Sequence, residues 1–113
     1  MTKHIEEDEI KLRLGDMLFT WDDEKEKINI RKHKIDFKTA ASIFVDSYLY
    51  VEFNSVDEYT GEERFDAIGM VAGNRAIFVV YVERIAIDGD DIIRIISARH
   101  AERKERMLYV NGD

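Results

Sequence analysis

The sequence predicts an α+β fold: a mainly antiparallel sheet, made of a four-strand meander plus a short N-terminal strand, with a helical hairpin before the meander and one helix after it. Three observations carry this. Two stretches each begin at an aspartate with helix-capping character, Asp22 and Asp36. Four β-prone runs follow one another between residues 48 and 97, joined by turn-rich connections. The last polar stretch has helical spacing. Helices segregated from sequential strands define the α+β class, and short sequential connections favour antiparallel pairing.

In chain order, Thr2 to Glu9 is a polar arm, and residues 1–17 together are assigned to that arm ahead of a single domain at residues 18–110. Met17 to Trp21 is apolar and aromatic enough for a short strand. Asp22 then caps a helix running to about His33, with Asp23 and Glu24 in the first turn and Arg31 and Lys32 near the end, the charge order a helix dipole favours. The helix is largely polar, and Ile28 and Trp21 are its expected anchors. Asp36 caps a second helix, with Ile35 and Ala40 placed as a hydrophobic staple and Phe37, Ala40, Ala41 and Phe44 as a buried stripe. The four strands are read at Tyr48–Phe53, Phe65–Val71, Ala76–Glu83 and Ile92–Ser97. They are separated by a Thr60-Gly61 turn, by Ala72-Gly73-Asn74-Arg75 and by Asp88-Gly89-Asp90-Asp91. Ser97 is read as the cap of a final helix through Tyr109, with Ala98, Ala101, Glu105 and Leu108 on one side.

Composition narrows function. The 113 residues are 45% hydrophobic and 36% charged, which fits one soluble globular domain. No run approaches the roughly 18 apolar residues of a membrane span, and the charged N-terminus lacks a signal-peptide pattern, so the expected location is the cytosol, away from membranes. Absence of cysteine excludes disulfides, thiolate metal sites and a cysteine nucleophile. His4, His33 and His100 have no metal-ligand spacing, and no cofactor or metal is expected. No glycine-rich phosphate loop or nucleophile–base motif supports a metabolic enzyme. The net charge of −7 opposes nucleic-acid binding by bulk charge. Base is nevertheless concentrated from Ile92 to Arg106, where Arg94, Arg99, Arg103, Lys104 and Arg106 face only Glu102 and Glu105.

Four segments then form a recognisable order: Trp21-Asp22-x-x-Lys25; Asn29-x-x-Lys32-His33-x-Ile35-x-Phe37-x-x-Ala40; Val80-Tyr81-Val82-Glu83-Arg84; and Arg94-Ile95-Ile96-Ser97-Ala98-Arg99-x-Ala101 followed by Glu105-Arg106. Together they resemble the BrnT family over residues 19–109. The resemblance implies a RelE-like ribonuclease fold and a toxin of a type II toxin–antitoxin system. It also implies a cognate BrnA-like antitoxin, through which alone operator DNA would be contacted. Two features depart from the family pattern. Lys34 stands where the family commonly has Gly at a left-handed helix end, and the arm before Leu18 is longer than usual.

An RNase of this type needs a base for the ribose 2′-hydroxyl, an acid for the 5′-oxygen and cations for the phosphoryl charge. Arg94 and Arg99 lead as phosphate ligands, because arginine's planar fork binds phosphate in two-pronged fashion. For Arg94 an ordinary solvated sheet face is the equal alternative. Arg99, read at the unfavourable positive end of the last helix, needs an anion or a carboxylate there, and Glu105 is the partner available to Arg94 or Arg99. Lys32 and His33 end the first helix, either as phosphate ligand and proton carrier or as plain helix-end cations. Glu83 and Arg84, adjacent in a strand, point to opposite faces, so one meets substrate and the other is structural. Arg64 is a further candidate for the cationic cluster. Tyr81 and Trp21 are read as packing residues before any role in stacking on bases. The competing reading is a non-catalytic RelE-like regulatory module that keeps only the antitoxin interface.

Overall fold

The computed structural model describes residues 9–85 and 89–112. Most of the expected polar arm, with His4, and Asp88 of the expected turn lie outside the described residues. The elements are β1 (Leu12–Leu14), β2 (Met17–Thr20), α1 (Asp23–His33), α2 (Phe37–Ala41) continued by a 3-10 turn (Ser42–Val45), β3 (Tyr50–Val56), β4 (Glu63–Val71), β5 (Arg75–Ile85), β6 (Asp91–His100) and α3 (Arg103–Asn111). They form a six-stranded sheet in the order β1-β2-β6-β5-β4-β3. Strands β3 to β6 are the antiparallel meander expected. The sheet as a whole is mixed, because β2 joins β6 in parallel, with Leu18, Phe19 and Thr20 opposite Ile92, Ile93 and Arg94. Residues 12–14, read as part of the arm, pair instead with β2 as a hairpin strand.

Local chemistry explains each boundary. The Asp22 carboxylate accepts the N–H groups of Glu24 (2.8 Å) and Lys25 (3.0 Å), and Asp36 accepts that of Thr39 (3.0 Å), so both caps satisfy donors that a helix start leaves open. Lys34 ends α1 in the left-handed region at φ 61°, its N–H donating to the Ile30 carbonyl. Glycine adopts this conformation without cost, and here a lysine bears it. The three-residue β4–β5 turn places Gly73 and Asn74 at positive φ, a region that glycine and asparagine enter most readily.

The last helix differs from expectation. Ser97 does not cap it, since β6 continues to His100. Glu102 is the cap, exchanging bonds with Glu105 in a capping box. Arg99 is therefore a strand residue, and the helix-dipole argument for it does not apply.

The core lies between one sheet face and the α1–α2 hairpin. Phe19, Ala67, Val71, Ile77, Val79, Tyr81, Ile95 and Ala98 meet Trp21, Ile35, Phe37, Ala40, Ala41 and Ile43. Gly69 lets the 3-10 turn approach: a Cβ there would fall 2.6 Å from the Ile43 Cβ. Trp21 packs edge-on to Phe37, and Tyr81 stacks on Phe65 at 5.6 Å, so both serve packing. Burial pushes the Tyr81 hydroxyl up to about 12, with Glu83 adding to it.

Helix α1 is not anchored by Ile28, which is 46% exposed. Its only buried residue is Asn29. The Asn29 amide donates to the carbonyls of Ile35 (2.9 Å) and Ala98 (2.8 Å), and its oxygen accepts the Ala98 N–H (3.0 Å). Strand β2 covers β6 only as far as Arg94. Beyond it, Asn29 supplies Ala98 with the donor and acceptor that a neighbouring strand would otherwise give.

Candidate nucleic-acid interface

Alternation along the strands and register across them place four arginines on the sheet face opposite the core. Directly paired residues share a face, so the row Thr20, Arg94, Val82, Arg64 crosses β2, β6, β5 and β4 on one side. Arg64 and Arg94 flank Val82, two strand spacings or about 10 Å apart at the backbone. Arg84 stands one row on, opposite Ile92, and Arg99 stands opposite Phe78. Glu83, the neighbour of Arg84, is exposed on the other face with Tyr81, the division expected for that pair.

Each arginine sits beside acid. Arg84 donates to Glu62 from Nε (2.8 Å) and from one terminal nitrogen (3.2 Å), and its side chain is only 10% exposed. Arg99 holds Glu105 with two bonds of 2.8 and 2.7 Å and lies 4.2 Å above the Phe78 ring. Glu105 is the carboxylate foreseen for Arg94 or Arg99, and it is Arg99 that it takes. Arg64 is the most loosely held of these three, with one contact to Asp57 at 3.4 Å and 37% exposure. Arg94 faces the field of Asp22. Glu62 and Asp57 were missed in the sequence, because they lie in the polar β3–β4 connection, where no periodicity marks them.

These contacts set the local electrostatics. Burial alone would raise the Glu105 carboxyl, but the bonds from Arg99 and from the Glu102 N–H outweigh it and hold it below the usual range. Asp66, between the rows of Arg64 and Arg99 and bonded by Asn54 at 2.7 Å, is raised, first by burial and then by Glu52 and Glu105. Helix α3 turns back over this face through the Arg99–Glu105 pair. Its far end is latched by the Tyr109 hydroxyl, which donates to Asp46 (2.7 Å), the same carboxylate oxygen that accepts the Met70 N–H (2.8 Å).

Lys32 and His33 are not brought to the arginines. They occupy the last turn of α1, Lys32 exposed and His33 half-buried, and share no hydrogen bond or ion pair with them among the described residues. A cleft of about 530 Å³ lies where β3, β4 and β5 meet, but Glu62, Glu63, Glu83 and Asp91 line it against Arg84 alone, the wrong charge for phosphate. Among the described residues no three His, Asp or Glu side chains are grouped to hold a metal ion, and no helix is long and apolar enough to cross a membrane.

Residues 21–105 match the family model of the ribonuclease toxin BrnT of type II toxin–antitoxin systems. The chain belongs to the BrnT family. All seven residues expected at the site, Lys32, His33, Arg64, Glu83, Arg84, Arg94 and Arg99, fall inside the matched segment. Among solved structures, the Brucella abortus ribonuclease toxin BrnT is similar at 26% sequence identity and a TM-score of 0.51, over 74% of this chain and 94% of that one. No curated protein matches the chain. Membership of a type II toxin–antitoxin family implies an antitoxin partner. The Asn29 clamp and the left-handed Lys34 both lie within the matched segment.

Proposed function

We propose that the chain is an endoribonuclease toxin that cleaves RNA without a metal ion, acts in the cytosol and is neutralised by a BrnA-like, DNA-binding antitoxin through which operator DNA is reached. A RelE-like relationship of the fold belongs to the same reading. The observation that carries it is the gathering of Arg64, Arg84, Arg94 and Arg99 on one sheet face. There the ribose 2′-hydroxyl attacks the adjacent phosphorus and the 5′-oxygen leaves, giving a 2′,3′-cyclic phosphate and a 5′-hydroxyl. The guanidinium groups stabilise charge on the phosphoryl oxygens. Asp66, whose raised carboxyl lies on the same face, accepts the 2′-hydroxyl proton, and water protonates the 5′-oxygen.

The test is cleavage of total RNA by wild type, Arg64→Ala and Arg94→Ala. Loss of one charge-stabilising donor costs about 10²–10³ in rate. Folded variants that cleave as fast as wild type refute the arginine assignment.

One observation favours a second reading, a module that binds antitoxin without cleaving: Arg64, Arg84 and Arg99 all contact carboxylates. Under that reading the wild-type chain leaves RNA intact yet binds its antitoxin.

A further inference from the structure

The charges of this acidic protein are sorted along the strand direction. The β3–β4 connection and the β5–β6 turn close one end of the sheet, with Asp57, Glu58, Glu62, Glu63, Asp90 and Asp91. The opposite end is basic. There α1 finishes, one turn past the Asn29–Ala98 contact, with exposed Arg31, Lys32 and Lys34. Strand β5 starts there with exposed Arg75, which lines one groove together with Lys38 of α2. Helix α3 starts there too, since the Ala101 N–H donates to Ala76 (2.9 Å), and its first two residues are the exposed Arg103 and Lys104.

Two features separate this end from ordinary surface lysines and arginines. Arg103 and Lys104 occupy the first turn of a helix, where the dipole disfavours cations, so nothing in the helix itself accounts for them. The nearby carboxylates are committed elsewhere: Asp36 caps α2, Asp46 holds Met70 and Tyr109, Glu102 is in the capping box, and Glu105 holds Arg99. Among the described residues, Lys32, Arg75, Arg103 and Lys104 have no ion pair, in contrast to Arg64, Arg84 and Arg99.

The geometry points to this basic end as the surface on which the RNA backbone docks, with Lys32, Arg75, Arg103 and Lys104 meeting successive phosphates outside the arginine face. It rests on the ribonuclease reading for the identity of the polyanion. It answers the objection of the −7 charge, because attraction is then supplied by one end of the molecule while the other repels.

The test is fluorescence anisotropy with a labelled 2′-O-methyl RNA, which binds but has no nucleophile to react. The affinity of the whole chain is followed across about 50 to 200 mM salt. Each phosphate contact on a single strand contributes about 0.7 to the slope of log affinity against log salt, so Arg75→Ser/Arg103→Ser/Lys104→Ser loses about 2 in slope. Lys25→Ser/Lys27→Ser, at the other end of α1, leaves the slope unchanged. An unaltered slope in the folded triple variant, no binding by wild type, or an equal loss in the Lys25/Lys27 control overturns the inference. So does competition by poly-glutamate that depends on the triple substitution while the RNA slope does not, because the surface then serves an acidic polypeptide. If the 2′-O-methyl RNA binds with the expected slopes but unmodified RNA stays whole, the docking surface stands and the nuclease reading fails.

Discussion

Replacing Asn29 by alanine should cost this protein more than any other single truncation on α1. The side chain is 5% exposed and makes three hydrogen bonds of 2.8 to 3.0 Å to main-chain groups of Ile35 and Ala98. Alanine leaves two carbonyls and one N–H without their partner. A buried polar group left unsatisfied costs about 1–3 kcal/mol. The costs of three neighbouring groups do not add in full, and the expected loss is about 3–5 kcal/mol. At about 4 °C per kcal/mol for a domain of this size, the melting temperature falls by about 12–20 °C. Guanidinium unfolding of wild type and Asn29→Ala measures the energy. Hydrogen exchange at the Ala98 amide locates it, since that N–H should lose protection before the β4–β5 pairs do. Asn29→Leu, which fills the volume without the bonds, should rescue little. A loss below about 1 kcal/mol, or full rescue by leucine, refutes the claim that polar clamping rather than apolar burial docks α1.

Three further outcomes follow from individual contacts. Lys34→Gly removes a left-handed strain of about 1–2 kcal/mol and adds about 0.4–1 kcal/mol of chain entropy to the unfolded state, so the protein gains about 0.5–1 kcal/mol in denaturant unfolding. Gly69→Ala drives a methyl to 2.6 Å from the Ile43 Cβ, and the resulting shift of the 3-10 turn should cost about 1–3 kcal/mol by the same assay. Glu105, held below its ordinary value in the folded state, contributes stability that is present above about pH 4.5 and is lost as pH falls through the lowered folded value. Wild type should therefore lose more stability between about pH 6 and pH 3 than Glu105→Gln does, and parallel pH profiles would contradict the pair's role.

The sequence made the capped helices legible, because Asp22 and Asp36 act through residues two or three positions away. The meander was legible too, since β-prone runs and turns such as Gly73-Asn74 are local signals. What escaped it was contact between distant segments. Nothing local marks Leu12–Leu14 as a strand, because its partner β2 is itself short and joins β6 across 70 residues of intervening chain. The start of α3 was misplaced because Ser97 has capping chemistry, while pairing with β5 holds residues 97–100 in the sheet. Asn29 was read only as one position of a motif, since a polar residue on a polar helix gives no sign of burial. At the site, the shared face of the arginines followed from strand alternation once the register was known. The carboxylates opposite them and the basic end did not, because both depend on how loops and helix ends converge.

The most direct test of the central claim is to incubate the purified chain with RNA in excess EDTA and determine the ends of the products. Cleavage that persists in EDTA, leaves 2′,3′-cyclic phosphate and 5′-hydroxyl ends, and falls by about 10²-fold or more in folded Arg94→Ala is the predicted result. RNA that stays intact with folded wild-type protein, or cleavage abolished by EDTA, would contradict it.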